Sequence, residues 1–276
     1  MARLEALRLR RREPRPARRR GLLRWTLLGL VTVVVTTIAA LPAAWIADTV
    51  ASRTEGRVLL ADAAGSLWRG SATLALSAGA GSRTATVLPG RLQWEIAFWP
   101  LLTGTVRLVA QHTEAMPAPV AITATPSGWR AQPGSMRLPA SLLEGVGAPF
   151  NTLRPDGAMR LDWSALEGRF RAEGGSGGRP AGLYGHLTLR IDQVSSAVSR
   201  LRPLGSYRAD IDWTGPTGML RLSTVSGPLH LEGSGPLGRQ ARFEGTAHAD
   251  PDAANQLASL LSLLGRRENN VTRLRF

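Results

Sequence analysis

The chain of 276 residues has 34 Arg, no Lys, no Cys and 20 acidic residues, which gives a formal net charge of +14. The lack of Lys excludes a Schiff base and a Walker loop for phosphate, and the lack of Cys excludes thiolate nucleophiles, cysteine metal sites and disulfides. The roughly 230 residues that follow the first apolar stretch are enough for a self-sufficient core.

The longest apolar stretch runs from Trp25 to Ile46 and contains no charged side chain. As a helix rising about 1.5 Å per residue, it matches the roughly 30 Å hydrocarbon core of a bilayer. Trp25 and Trp45 lie near its ends and suit the headgroup layers, where indole rings concentrate. The sequence therefore predicts a transmembrane helix over 25–46, anchored by these two residues. A cleavable signal peptide is the alternative, but the run is long and no small-residue cleavage site follows it directly.

Residues 1–24 form a basic segment with ten Arg and two Glu. Positive charge beside a membrane helix stays on the cytoplasmic side, so we expect a cytoplasmic tail over 1–24 and a periplasmic domain over 47–276. Anionic headgroups attract such a tail. The rest of the chain has 24 Arg against 18 acidic residues, which does not favour nucleic-acid binding.

The region after residue 47 alternates apolar and polar residues at period two, as half-buried strands do. Leu92, Trp94, Ile96 and Phe98 are the clearest case, because they place four large side chains on one face. Gly and Pro turns separate such segments. The sequence thus predicts a mainly β domain, an antiparallel and elongated or curled sheet of many hairpins, with a β-sandwich as the alternative. A unit of turn glycine, alternating strand and Trp recurs at Gly90–Trp99, Gly157–Trp163 and Gly205–Trp213.

One amphipathic helix is predicted near the C-terminus, over 251–264. Asp250 suits the N-cap, Pro251 the first helical position and Gly265 the helix end. The apolar stripe of this helix consists of Leu257, Leu260, Leu261 and Leu264. We expect the stripe to pack on the end or the open face of the sheet, with Val271–Phe276 adding a last strand.

Two glycine-rich segments match functional motifs by spacing alone. Gly233–Gly238 satisfies G-x-G-x-x-G, but a dinucleotide site needs a helix directly after the glycines. A strand pattern follows instead, so a hairpin turn is favoured. Gly174–Gly178 satisfies G-x-S-x-G around Ser176, yet a nucleophile elbow also leads into a helix, and a flexible loop is favoured.

The titratable residues of the strands indicate no active site and no metal centre. His112, His186, His230 and His248 are far apart, and each alternates with apolar neighbours, as surface residues of a sheet do. Three carboxylates, Asp162, Asp210 and Asp212, fall on the polar face of their strands. A paired acid and base could be assembled from them, but their spacing does not require it. The sequence therefore predicts a protein that is not an enzyme and has no metal, no cofactor and no small-molecule substrate.

Several segments carry a resemblance to a known family. They are Gly65-Ser66-Leu67-Trp68-Arg69-Gly70, Leu88-Pro89-Gly90-Arg91-Leu92-Gln93-Trp94, Pro203-Leu204-Gly205-Ser206-Tyr207 and the Gly227–Gly235 segment. With the basic tail and the single anchor, they resemble type II secretion system protein N. That family is a bitopic inner-membrane component of the machine that exports folded proteins from the periplasm of Gram-negative bacteria. The resemblance brings no active site with it.

The resemblance implies association with other inner-membrane subunits of the secretion apparatus, in assembly or scaffolding. The candidate partner-binding or structural residues are Gly65, Leu67, Trp68, Gly70, Trp94, Pro203, Leu204, Gly205 and Tyr207. For Trp68 we expect a core anchor of the first hairpin, with partner binding as the alternative. The alternative function, a lipid-handling module, requires the large apolar residues of a curled sheet to line an open groove.

Overall fold

The computed structural model describes residues 17–82, 85–147, 150–170, 180–238, 242–268 and 271–275. The chain divides into two compact units, Met1–Leu41 and Pro42–Phe276. The helices are α1 (Ala17–Ala39), α2 (Ala44–Arg53), α3 (Phe150–Leu153) and α4 (Ala254–Leu264), with 3-10 segments at Trp99–Thr103 and Ala140–Val146. Most of the predicted cytoplasmic tail, residues 1–16, lies outside the described residues.

The first unit contains α1, whose large apolar side chains from Trp25 to Ile38 are exposed. Within the described residues, no helix combines the length and the apolarity that a membrane span requires. The expected single helix over 25–46 has wrong boundaries, because α1 ends at Ala39 and α2 begins at Ala44. Pro42 explains the break, since proline lacks an N–H and disfavours the helical conformation in the residue before it. Ala43 is already buried in the second unit.

In the described residues, the second unit is built on one antiparallel sheet of 17 strands. Their bounds are β1 (Val58–Gly65), β2 (Arg69–Ser77), β3 (Ala85–Val87), β4 (Leu92–Ala97), β5 (Val106–His112), β6 (Val120–Thr125), β7 (Gly128–Ala131), β8 (Gly134–Pro139), β9 (Pro155–Trp163), β10 (Leu166–Phe170), β11 (Pro180–Ser196), β12 (Gly205–Gly215), β13 (Gly218–Ser226), β14 (Leu229–Leu237), β15 (Glu244–Ala249), β16 (Arg266–Glu268) and β17 (Val271–Arg275). Most strands pair with the next strand in the chain, as short Gly and Pro turns favour. The predicted mainly β, antiparallel sheet is confirmed. The alternative β-sandwich is not, because the described strands form one sheet rather than two.

The register separates an apolar face from a polar face in the middle of the sheet. On β9, β11 and β12, Trp163 pairs with Leu187, which pairs with Ile211. One residue along each strand, Asp162, Thr188 and Asp210 form the neighbouring row. Because side chains alternate between faces at each residue, the two rows point to opposite sides. Thr188 and Asp210 of the polar row belong to the polar network on β11 and β12 that is described below.

Three hydrophobic clusters lie where helical segments cover the sheet. The first cluster includes Leu60, Trp94 and Ala43, the N-cap of α2, and Ile46 and Val50 of α2 pack against it. The second cluster surrounds Leu142 of the 3-10 segment Ala140–Val146, and the third surrounds α4. The apolar face of a sheet must be covered by other elements to remove it from water. Here each of these short helical segments covers a different part of that face.

Helix α4 packs Leu257, Leu260 and Leu261 of its apolar stripe on the sheet, as predicted from the sequence, and Leu257 is completely buried. The predicted start is wrong, because the helix begins at Ala254 and Ala253 is the N-cap. Asp250 does not cap it; its carboxylate lies 2.9 Å from His230 Nε2. Gly265 follows the helix in an extended conformation, and a Cβ there would lie 2.2 Å from the carbonyl oxygen of Arg273. The expected final strand is confirmed as β17.

Candidate functional site

The first two sequence motifs meet across β2 and β4, where Gly70 stands directly opposite Trp94. A Cβ at position 70 would lie 2.4 Å from Trp94 Cζ2, so only glycine leaves room for the indole. The indole is buried, and its N–H donates to the carbonyl oxygen of Leu67 at 3.2 Å. Gly65 ends β1 with a φ of 91°, a left-handed conformation that favours glycine. These residues form a packing unit, and Trp94 rather than Trp68 is the core anchor of the hairpin.

The pairing of a Trp with a glycine on the neighbouring strand recurs along the sheet. In each case a Cβ on the glycine would lie between 2.1 and 2.7 Å from the indole. The further pairs are Trp163 with Gly134, Trp129 with Gly168, and Trp213 with Gly218. The repeating contact is therefore a pair across two strands. The predicted unit within one strand is present in β9 and β12, whereas Trp99 lies beyond the end of β4. Glycine removes the side chain that would otherwise hold the flat ring away from the backbone.

The third motif lies in the cluster around α4. The Tyr207 ring packs on Gly205, where a Cβ would lie 2.9 Å from the phenol oxygen, and its hydroxyl donates to the carbonyl oxygen of Leu229 at 2.9 Å. Burial raises the pKa of Tyr207, so the phenol stays protonated. Leu204 is buried in the same cluster, while Pro203 is exposed in the preceding turn. This motif also serves packing.

An aromatic patch lies where the β1–β2 turn meets the segment between β4 and β5. We define it as Trp68, Phe98, Trp99 and Leu102. The Trp68 and Phe98 rings meet edge to face at 5.3 Å between centroids, and Phe98 meets Trp99 in the same way at 6.0 Å. Trp99 is 77% exposed and Leu102 70% exposed. The expectation that Phe98 shares the buried face of β4 is wrong, because β4 ends at Ala97 and the following 3-10 segment lies at the surface.

A polar network lies on β11 and β12. His186 Nδ1 is 2.6 Å from Asp212 Oδ1, and His186 Nε2 is 2.9 Å from Thr188 Oγ1. This order of hydroxyl, imidazole and carboxylate is that of a hydrolase triad. However, the Thr188 hydroxyl donates its proton to Asp210 at 2.7 Å, not to the imidazole, and Thr188 is buried. The network therefore does not present an activated nucleophile.

Arginines neutralise the carboxylates of this network. Arg208 donates to Asp210 at 2.8 Å, and Arg221 donates to Asp212. Burial by itself raises the pKa of Asp210, but hydrogen bonds from Arg208 and Thr188 outweigh burial and lower it. The pKa of Asp212 is lowered first by its hydrogen bond with His186. The carboxylates are thus held ionised. The pair of Asp212 with Arg221 joins β12 to β13, whereas Asp210 and Arg208 lie on the same strand.

The sequence pattern places the three Asp on a polar face but does not predict the contacts of Asp210 and Asp212 with His186, and Asp162 pairs with Arg160 instead. Period-two spacing within two consecutive strands, with polar residues at 186 and 188 and again at 210 and 212, is the sequence pattern that could have revealed it. The pattern does not specify the register of β11 against β12. The structure shows that this register pairs His186 with Asp212.

The other histidines form no metal site: among the described residues, no group of three or more potential ligands is close enough to hold an ion. His230 and His248 stack with ring centroids 4.7 Å apart. His112 contradicts the expectation of a surface residue, since it is completely buried. Burial lowers its pKa against the opposing effect of Glu114, and its Nδ1 accepts a hydrogen bond from the Ala115 N–H at 3.1 Å.

The Gly233–Gly238 motif lacks the geometry of a dinucleotide site. Gly233 and Gly235 lie inside β14 rather than in a turn, so the predicted hairpin turn is misplaced. A Cβ on Gly235 would lie 2.0 Å from the carbonyl oxygen of Arg242, so these glycines allow two backbones to approach. The segment Gly174–Gly178 lies outside the described residues.

The fold and its motifs define a protein with a large antiparallel β-meander, in which the recurring motifs serve packing. The chain belongs to the family of type II secretion system (T2SS) protein N, whose family model matches residues 56–275. The family resemblance is thereby confirmed. This family is a structural component of the secretion apparatus and is not known for enzymatic activity, so the chain takes part in type II secretion and associates with other components of that apparatus in the cell envelope. No curated protein and no solved structure matches the chain.

Proposed function

We propose that the protein is a non-catalytic, single-pass subunit of the type II secretion apparatus in the inner membrane. Its N-terminus is cytoplasmic, its sheet is periplasmic, and it acts in assembly or scaffolding. The observation that carries this proposal is the exposed apolar surface of α1 directly before a folded β unit in a chain of this family. A helix that is apolar on all sides needs either a protein core or lipid around it.

The membrane span that we propose is longer than the helix segment with described side chains. Trp25 to Ala39 covers only about 22 Å at 1.5 Å per residue. In the sequence, Leu22 and Leu23 extend the apolar run before it, and Ala40 and Leu41 extend it afterwards. The run then reaches about 30 Å.

Cysteine labelling tests this topology, because the chain has no Cys of its own. Ala2→Cys and Thr125→Cys place single thiols before the span and on the sheet, where Thr125 is exposed. In spheroplasts, a maleimide that cannot cross membranes should label residue 125 at once and residue 2 only after permeabilisation. The opposite pattern would place the sheet in the cytoplasm and refute the proposal.

Photo-crosslinking in intact cells tests the scaffolding role. A photoreactive residue at Leu263, an exposed position on α4, should trap an inner-membrane subunit of the secretion apparatus. The matched control is Leu257 on the same helix, which is fully buried and should give no intermolecular product. Failure to trap any subunit from Leu263, and from a second exposed position on α4 at Ser259, would argue against the scaffold.

A second candidate function, lipid handling, is favoured by one observation. Leu187, Leu189, Ile211 and Trp213 are only partly buried and belong to none of the three clusters, whereas Leu92, Trp94 and Ile96 are packed in the cluster with α2. Part of the apolar face therefore remains open to a lipid chain. Native mass spectrometry of the full chain should then detect phospholipid at stoichiometric amounts, and Ile211→Arg should abolish it. Absence of bound lipid would leave the scaffold as the proposal.

A further inference from the structure

The aromatic patch lies at the end of the sheet where the chain enters the second unit. Pro42 forms an isolated bridge with Ser66, and the Ala43 N–H donates to the carbonyl oxygen of Gly65 at 3.2 Å. These contacts fix the first residues of the unit against the β1–β2 turn. Trp68 belongs to the same turn, and its ring contacts Phe98. The entry point and the patch are therefore parts of one rigid corner of the sheet.

The covalent chain limits how far this corner can be from a membrane that α1 spans. Three peptide units join Ala39 to Pro42, and at 3.8 Å between successive Cα atoms they reach at most about 11 Å. The proposed span needs Ala40 and Leu41 to cover the roughly 30 Å of hydrocarbon, which leaves Pro42 at its outer boundary. The headgroup layer beyond that boundary is itself about 5–8 Å thick. The β1–β2 turn therefore begins within or next to this layer.

The composition of the corner suits that layer. Single exposed apolar residues are ordinary on protein surfaces, but a contiguous group marks an interaction site. Trp99 and Leu102 are largely exposed, as is Trp45 in the first turn of α2. Indole rings favour the headgroup region, where the ring leaves water and the N–H stays hydrated. Arg107, exposed at the start of β5, has no ion pair within the described residues and can bind a lipid phosphate.

We propose that the aromatic patch inserts into the outer headgroup layer, so that lipid and not a protein subunit covers Trp99 and Leu102. This inference rests on the proposed membrane span of α1. Its consequence is orientation: a helix anchor and a second contact together fix the sheet relative to the membrane, whereas a single tether leaves the sheet free to tilt. A fixed orientation presents the same strands and α4 to the other subunits.

Site-directed spin labelling of the full chain in vesicles of phosphatidylethanolamine and phosphatidylglycerol tests the proposal. Leu102→Cys places a nitroxide in the patch. Val225→Cys is the matched control, because it is 65% exposed and lies at the opposite end of the strands. Val33→Cys in α1 reports on the anchor itself. Accessibility to oxygen, which concentrates in lipid, is compared with accessibility to a water-soluble nickel complex.

We expect the ratio of oxygen to nickel accessibility at residue 102 to be at least about fivefold higher than at residue 225. Trp99→Glu should lower this ratio toward the control value, because a carboxylate is poorly accommodated beside anionic headgroups. If the label at residue 33 is accessible mainly to oxygen and the label at residue 102 mainly to the nickel complex, the patch proposal is refuted and the proposed membrane span is supported. If the label at residue 33 is accessible mainly to the nickel complex, the proposed span is refuted, and the patch proposal that rests on it is refuted as well. A label at 102 that is shielded from both reagents indicates contact with a second copy and also refutes the proposal.

Discussion

Replacing Gly70 by Ala tests whether the Trp–Gly pairs hold the sheet together. The added methyl would lie 2.4 Å from Trp94 Cζ2 and 2.9 Å from the carbonyl oxygen of Ser66, well inside contact distance. Trp94 cannot withdraw freely, because it is packed in the cluster with α2 and its N–H is bonded to Leu67. Either the strands separate locally or the indole leaves its position.

The expected cost follows from these contacts. Overpacking a well-filled core costs about 1–3 kcal/mol, and loss of the buried indole hydrogen bond adds about 1 kcal/mol. We therefore expect Gly70→Ala to lower the free energy of unfolding by about 2–4 kcal/mol. Gly81→Ala is the control, since no atom lies within 4 Å of a Cβ there and its φ is not positive. It should change stability by less than about 0.5 kcal/mol.

Urea unfolding of the full chain in detergent, followed by circular dichroism of the strands, measures both values. The decisive comparison is a double-mutant cycle with Trp94→Leu, because removing the indole removes the collision. In that background Gly70→Ala should cost at least about 1 kcal/mol less than in the wild type. Equal costs in the two backgrounds would refute the steric explanation, and a neutral Gly70→Ala would refute the importance of the pair.

Two further predictions concern the α4 cluster and the polar network. Leu257→Ala should destabilise the protein by about 2–5 kcal/mol in the same urea assay, because it opens a cavity at a completely buried position. The control Leu263→Ala, at an exposed position of the same helix, should be nearly neutral. Equal effects of the two substitutions would contradict the packing of α4. Because the pKa values of Asp210 and Asp212 lie below the ordinary value of 3.8, the stability that they contribute is complete above about pH 4 and is lost as the pH falls further through their lowered pKa values. We therefore expect the urea midpoint to fall less between pH 6 and pH 3 when both Asp are replaced by Asn. An equal fall in the variant and the wild type would show that these two carboxylates do not contribute the pH-dependent stability.

The sequence by itself determined the local elements. Period-two alternation with Gly and Pro turns predicted an antiparallel sheet, and the Leu spacing after Asp250 predicted α4, because these patterns depend only on neighbours along the chain. Pro42 and Pro251 were the positions where the predicted helix bounds failed. At Pro42 the geometry of proline interrupts the helix, whereas at Pro251 the chain forms a turn and α4 begins three residues later, at Ala254.

Tertiary structure alone decided which side chains meet. Trp94 finds Gly70, and His186 finds Asp212, only when the strand register is set, and register depends on turns and on packing across the whole sheet. The burial of His112 and the exposure of Phe98 likewise follow from where β5 and β4 end. A motif such as Gly65–Gly70 specifies the residue types, but the reason for its glycine at position 70 is an indole that lies more than twenty residues away in the sequence.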